Sequence, residues 1–237
     1  MRQRFKLSVV LPVFSEDVSV VKIVRALERL LPSTLHEILL IVSPRSTPSS
    51  IETCKTLANA DPLVHFSLQR RNPGLGRAVR QGLEMASGTH VLMMDSDGEM
   101  QPEAVPSMVK KLRETGCDMV VGSRWIADGG VIGYDPVKLI LNRGFQLLFQ
   151  ALFITRVHDL TLGFKILNRR ILDHVRFVSD FHDIALETTI KPIWNRFKVG
   201  EVPVVWKARA LGESKNSART NLRYLTRAIS VLLQPRL

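Results

Sequence analysis

Cysteine is nearly absent from this chain of 237 residues: Cys54 and Cys117 are the only two. That excludes a disulfide framework and a cysteine-based metal centre, and it points to a reducing, cytoplasmic setting in which both are packing residues. Aromatic residues are also scarce, at 6%, and no recognition motif interleaves with the basic positions, which argues against nucleic-acid binding. Acidic residues fall short of basic ones, 22 against 33, and the resulting net charge of +11 favours anionic partners such as nucleotides or acidic lipid headgroups. No uncharged apolar run approaches the roughly 18 residues of a membrane-spanning helix, so any membrane contact is expected to be peripheral. Met1 to Phe14 looks like a leader, with Arg2, Arg4 and Lys6 before an apolar stretch. It is too short, contains Pro12 and lacks a small-residue cleavage pattern, so it is expected to be a first strand.

Short apolar runs then alternate with helical periodicity. Strands are expected over Leu7 to Val13, Glu37 to Ser43, Val64 to Leu68, His90 to Met94 and Asp118 to Gly122. Helices are expected over Ser15 to Leu31, where Val20, Val21, Val24, Leu27 and Leu31 share a face, over Gly76 to Ala86, and from Pro102 to Leu112. Repeated βαβ units imply an α/β fold with a mostly parallel, doubly wound sheet.

After Trp125 the texture changes. Ala127 to Asp135 reads as a polar, glycine-rich loop, long enough to cover a site. Leu139 to Ile154 is apolar except for Asn142, Arg143, Gln146 and Gln150, which form one narrow stripe at helical spacing. Two placements fit that pattern: a buried helix with a polar edge, or a helix lying in a membrane interface. Two more strands are expected at Leu162 to Leu167 and Val199 to Trp206, with a helix near Ile184 to Phe197 between them. In the tail (217–237), Arg219, Arg223 and Arg227 recur every fourth residue while Leu222, Leu225, Ile229 and Leu232 take another face. That is a basic amphipathic helix expected to dock on anionic lipid, beyond a main domain spanning 1–216.

The most informative stretch is Val91 to Glu99, a buried-strand pattern that delivers Asp95, Asp97 and then Glu99 to the carboxyl edge of the sheet. Oxygen ligands of this kind suit a hard divalent ion, which takes one or two carboxylates together with substrate phosphate oxygens. The loop Arg70 to Ala78 precedes a helix, and its glycines, Gly74 and Gly76, would let backbone approach a ligand. It is neither the phosphate loop of an NTPase nor a complete dinucleotide fingerprint.

Order raises specificity. Leu11-Pro12-Val13-Phe14-Ser15-Glu16, the Asn72 to Ala78 loop, Gly82, Ala86-x-Gly88, Met94-Asp95-x-Asp97, Pro102-Glu103 and Gly122-Ser123-Arg124 follow one another in a sequence that resembles the family 2 glycosyltransferases, most of all their polyprenyl-phosphate branch. Asp159-Leu160-Thr161-Leu162-Gly163-Phe164 looks like that branch's Asp-x-Thr-Ser-Gly-Phe, and Arg209 to Lys215 looks like its Arg-x-x-Gly-Glu-Ser-Lys. The resemblance implies a GT-A fold and inverting transfer of a sugar from a GDP- or UDP-sugar to a polyprenyl phosphate on the cytoplasmic face of a membrane, with Mg²⁺ or Mn²⁺. Where some relatives carry spanning helices, a separate membrane protein would be a further partner here.

Residue by residue, it implies nucleotide binding by Pro12, Val13, Glu16, Ser43, Asn72, Gly76, Asp95 and Ser96, and a metal on Asp95, Asp97 and Glu99. Arg124, Lys138, Asn142, Arg143, Arg209 and Lys215 would bind the acceptor phosphate, with Asp95, Asp97, Arg124 and Lys138 carrying the catalysis. The chain departs from the pattern in places. Lys138 and Asn142 stand where the family commonly has Arg and Ser, and Phe14-Ser15 replaces Tyr-Asn. Ser43 to Pro48 replaces an Asp-Asp-Gly-Ser-x-Asp turn whose first carboxylate helps hold the base, so a charged acceptor for the base is missing. Two rival readings remain. Transfer to a saccharide hydroxyl would need a general base, for which Asp159, Asp183 and Glu187 are the candidates. A non-catalytic, membrane-associated scaffold is the other, motivated by the altered turn.

Overall fold

The computed structural model describes residues 5–208 and 218–236, with 218–220 as backbone alone. Seven strands form the main sheet in the order β3-β2-β1-β4-β7-β5-β8: β1 (Leu7–Val13), β2 (Leu35–Val42), β3 (Val64–Leu68), β4 (His90–Met93), β5 (Met119–Ser123), β7 (Lys165–Asn168) and β8 (Val199–Pro203). Every neighbouring pair is parallel except those made by β7, which runs antiparallel to both β4 and β5. A separate two-stranded parallel ladder joins β6 (Gly130–Ile132) to β9 (Val205–Lys207).

Period-2 alternation along the strands builds two cores. Val9, Leu11 and Val13 of β1 pack beneath α1 (Val18–Leu30), α2 (Pro48–Ala60) and α4 (Val105–Thr115), whereas Val10 faces α3 (Leu75–Met85). That second core is completed by α5 (Pro136–Phe153), α6 (Arg169–His174), α7 (Ile184–Trp194) and α8 (Ala218–Leu232). Helix α1 shows the ordinary solution: Val20, Ile23, Val24 and Leu27 are buried, each contributing about 1.5–3 kcal/mol of apolar burial.

Several elements differ from expectation. Helix α2 had no strong apolar period to announce it; it is nucleated by Thr47, whose side chain accepts from the Ser50 amide at 3.3 Å, with Pro48 in the first turn. The expected loop Ala127 to Asp135 contains β6. The expected strand Val199 to Trp206 is two strands, because Val204 donates its amide to Ser123 O and accepts one from Gly130, passing the chain from the main sheet to the small ladder. The strand expected from Leu162 begins only at Lys165. Helix α8 contributes Ala228 and Val231 to the second core. No helix among the described residues is long and apolar enough to cross a membrane, and both cysteines are free, Cys54 fully buried.

Candidate functional site

The sheet order reverses between β1, whose other neighbour is β2, and β4, so the crevice at their carboxyl ends is the topological switch point where such sheets bind ligands. Ser96 bridges it, donating its hydroxyl to Pro12 O at 2.6 Å with Glu16 Oε2 3.4 Å away. Asp95 and Asp97 leave β4 beside this bridge. Gly163 passes close to Asp95: a Cβ there would lie 3.5 Å from Oδ2, in ordinary contact. A pair of carboxylates one residue apart fits a hard divalent ion that shares its shell with a diphosphate. Glu99 is turned elsewhere: its carboxylate accepts from Trp206 Nε1 at 3.1 Å, and its backbone oxygen accepts from the Lys207 amide. Among the described residues no three His, Cys, Asp or Glu side chains are arranged to hold a metal, so Asp95, Asp97 and Glu99 do not converge as one set.

Ser43, at the end of β2, meets Asn72 from the loop before α3. Asn72 Nδ2 donates to Ser43 Oγ at 2.7 Å and to Gln69 Oε1 at 2.9 Å, while Gln69 Nε2 donates to the carbonyls of Arg71 and Gly74. Ser43 Oγ also accepts from the Arg45 amide, which leaves its hydroxyl hydrogen to donate. The hydroxyls that replace the family's acidic turn stitch it to the end of β1: Ser15 donates its amide to Ser46 Oγ, and Thr47 donates its amide to Ser15 Oγ. The loop glycines sit tightly against another part of the chain. A Cβ on Gly74 would stand 2.2 Å from Asp180 O, and one on Gly76 would stand 2.3 Å from Ser179 O. Both glycines therefore serve close packing of the loop against 179–180.

Arg124, just past β5, is the electrostatic centre of the other half of the site. Its Nε and Nη2 donate to the two oxygens of Asp159 at 2.7 and 2.9 Å, and Nη2 reaches Thr161 Oγ1 at 3.2 Å. Burial opposes the charge on Arg124, but Asp159 outweighs it and holds the guanidinium above its usual pKa. Gln146 links α5 to this cluster: Nε2 donates to Thr161 Oγ1 at 2.6 Å and to Asn142 Oδ1 at 3.2 Å, and Oε1 accepts from the Leu160 amide. Sequence reasoning missed Lys165, which lies fully buried behind Asp159 and Asp95 and donates to Ala185 O at 2.7 Å and to Thr188 Oγ1 at 3.1 Å. Burial pushes its ammonium down to about 7, against the pull of Asp159 and Asp95. A lysine inside an otherwise apolar strand was the available signal.

Beside Arg124 a small crevice of about 10 Å³, room for little more than a water molecule, is lined by Trp125, Val131, Tyr134, Leu139, Asn142 and Trp206. Trp125 Nε1 and Arg143 Nη1 are covered yet have no hydrogen-bond partner, and the Arg143 guanidinium sits over the Trp125 ring at 5.2 Å. Lys138 is exposed in the first turn of α5, where its amide donates to Asp135 Oδ1 at 2.8 Å. Arg209 and Lys215 lie outside the described residues.

Helix α5 buries part of its polar stripe beside Phe149 and Phe153, which join the second core. Gln146 is fully buried, and Asn142, Arg143 and Gln150 are partly buried, while Val137, Ile140, Leu141, Leu147, Leu148 and Leu152 are exposed. Of the two placements its sequence allowed, the buried helix with a polar edge is met in part, since Gln146, Phe149 and Phe153 are buried, and the polar edge lies inward. The tail also differs from its expected basic face: Arg227 pairs with Asp183 at 3.1 Å, and Arg223 lies over the Phe181 ring at 3.8 Å, so both turn toward the protein while Leu222, Ile229 and Leu233 are exposed.

Comparison with known proteins agrees with this geometry. The chain is 26% identical over 223 residues to dolichol-phosphate mannosyltransferase of Pyrococcus furiosus, covering 93% of this chain and 62% of that protein, so it spans less than two thirds of that relative's length. It is 29% identical over 222 residues to polyprenol monophosphomannose synthase of Mycolicibacterium smegmatis, covering 91% and 82%. Among solved structures, glucosyl-3-phosphoglycerate synthase of Mycobacterium tuberculosis in complex with UDP superposes with a TM-score of 0.72 at 17% identity, covering 98% of this chain and 81% of that one. Its complex with Mn²⁺, UDP and phosphoglyceric acid gives 0.71 at 19% identity, covering 98% and 80%. Those likenesses show the GT-A fold, and the profile of glycosyl transferase family 2 matches residues 8–176, a span that includes the switch point, Asp95 and Arg124: the chain belongs to glycosyl transferase family 2.

Proposed function

We propose that this protein transfers a hexose-type sugar from a GDP- or UDP-sugar to a polyprenyl phosphate, inverting the anomeric carbon, while seated peripherally on the cytoplasmic face of a membrane. Helix α5 carries the reading. Its polar stripe joins the Arg124 cluster and its apolar side lies bare, which suits an acceptor with a charged head and a hydrocarbon tail. The names of the two sequence relatives point to the same acceptor class.

In this reading Asp95 and Asp97 hold Mg²⁺ or Mn²⁺, which when bound supplies Lewis-acid charge neutralisation for the departing diphosphate. Pro12, Val13, Glu16, Ser43, Asn72 and Ser96 frame the nucleotide at the switch point, with Ser43 offering a neutral hydroxyl where a carboxylate would be usual. A phosphate monoester has its second pKa near ~6 and is already a nucleophile at neutral pH, so no general base is required. What it requires is a cation to hold it beside another anion. Arg124, Arg143 and Lys138, with Asn142, supply that; Arg209 and Lys215 are proposed to add to it.

Transfer to a saccharide hydroxyl is disfavoured because its candidate bases are engaged. Asp159 is clamped by Arg124, Asp183 is paired with Arg227, and Glu187 accepts from the Val178 and Ser179 amides and from Lys191. The test is release of nucleoside diphosphate from a panel of GDP- and UDP-sugars with Mn²⁺ and polyprenyl phosphate. Acceptor-dependent release that disappears in Asp97→Ala is expected; a folded sample that releases nothing from any donor would favour the scaffold reading instead.

A further inference from the structure

The irregular segment from Val175 to Asp183 lies between the nucleotide loop and the last helix, and it is gripped from both sides. On one side Glu187 accepts from the Val178 and Ser179 amides, Lys191 donates to Arg176 O at 2.6 Å, Tyr224 donates its hydroxyl to His182 O at 3.1 Å, and Arg223 covers Phe181. On the other side the contacts converge on one residue. Asp180 accepts from Arg77 Nη2 at 2.7 Å and from Arg80 Nη2 at 2.5 Å, and its backbone oxygen accepts from the Arg77 amide at 3.3 Å. Gly74 and Gly76 have no space for a Cβ against that same backbone.

Asp180 is about one-third exposed, and ion pairs at such positions stabilise a fold little. Its geometry is nevertheless specific: two short charge-assisted bonds to the start of α3, from Arg77 and Arg80, and a close backbone approach to Gly74 of the loop that carries Asn72 and leads into that helix. Inside the loop, Gln69 and Ser43 fix Asn72; at its far end Asp180 is the docking point reached from the carboxyl-terminal half of the chain. The hydrogen bond from Arg77 holds the Asp180 carboxyl below its usual range, so it is ionised throughout neutral pH.

We propose that Asp180 is a positioning residue for the nucleotide loop, setting where Asn72 meets a nucleoside diphosphate, and that the segment around it ties this loop to α8. The proposal rests on the nucleotide-binding reading above. Helix α8 bears exposed Leu222, Ile229 and Leu233, so the link joins an apolar surface to the donor site through Arg223, Tyr224 and Asp180.

The experiment is calorimetric titration of the full chain with UDP and with GDP in the presence of Mn²⁺, for wild type, Asp180→Asn, Asp180→Glu and Arg223→Ala, alongside thermal melts. Wild type is expected to bind one of the two. Asp180→Asn is expected to weaken that binding about tenfold while its melting temperature moves by less than about 2 °C, and Asp180→Glu should recover most of the loss. Arg223→Ala should weaken it about twofold to threefold in the same direction. In turnover, the donor KM should rise with kcat held. Equal affinity in wild type and Asp180→Asn overturns the proposal and leaves the nucleotide reading standing. A loss of affinity that follows a large fall in melting temperature and is not rescued by Glu assigns Asp180 a purely structural role and also overturns it. Binding of neither nucleotide by wild type removes the donor reading itself, and this proposal with it.

Discussion

Helices α1 and α5 have the same kind of sequence and opposite placements. Each is apolar with polar residues confined to part of its circumference, yet α1 buries Val20, Ile23, Val24 and Leu27, whereas α5 buries Gln146 beside Phe149 and Phe153 and exposes Ile140, Leu141, Leu147 and Leu148. The difference lies in what waits beneath. Under α1 is an apolar sheet face; under the first half of α5 are Arg124, Asp159 and Thr161, polar groups whose burial is tolerable only with hydrogen-bond partners. Gln146 supplies partners, so the helix turns its amide stripe inward and its leucines out. The end of α5 carries the same inversion: Ile154 adopts a left-handed backbone, φ 48, with its side chain 93% exposed, a conformation rarely given to a β-branched residue.

One substitution made in both helices gives the sharpest contrast. Leu27→Asp should destabilise the protein by more than about 4 kcal/mol, because it places an unpaired charge in a closed core. Leu147→Asp should shift stability by no more than about 0.5 kcal/mol while weakening binding to anionic vesicles about tenfold or more. Denaturant melts and vesicle sedimentation of the two variants measure this, and equal destabilisation by both would erase the contrast. Next in size is Arg124→Ala, which leaves Asp159 buried and unpaired. About 3–5 kcal/mol of stability should be lost, read by urea denaturation, with Arg124→Lys losing less.

Gln146→Leu separates an inverted helix from an ordinary one. With the amide stripe inward, leucine orphans the Leu160 amide and should cost about 1–3 kcal/mol; in an ordinary amphipathic helix the same change would be neutral or stabilising. The smallest effect is one of pH at the far end of β4, where burial, aided by Arg113, pushes His90 down to about 4. Between that value and the ordinary 6.5 the unfolded chain binds a proton that the folded chain does not. Stability should therefore fall as pH drops through that window, and His90→Gln should flatten the dependence seen in melts at pH 7 and pH 5.

Local signals predicted the strands of the first half well, though not helix α2. β1 and β3 begin and end where alternation and turn residues place them, and β4 stops one residue early, at Met93 rather than Met94. Legibility ended where pairing is non-local. Nothing in Gly130 to Ile132 announces a strand until Val205 to Lys207 lies beside it, and Glu99 reads as a metal ligand until Trp206 reaches it from the same ladder. The glycines of the Asn72 loop were visible, but their reason, the backbone of Ser179 and Asp180, lies a hundred residues away. For α5 the stripe was legible and its direction was not, because a helical period states that two faces differ without saying which one the fold will bury.

The central claim is that α5 presents lipid to the Arg124 cluster. It is tested most directly by initial rates of nucleoside diphosphate release with polyprenyl phosphate embedded in anionic vesicles, comparing wild type with the double variant Ile140→Asp, Leu147→Asp. The account predicts that the variant keeps its melting temperature and its nucleotide affinity but loses at least about tenfold in rate on vesicle-borne acceptor. A variant as fast as wild type on the same vesicles would contradict it.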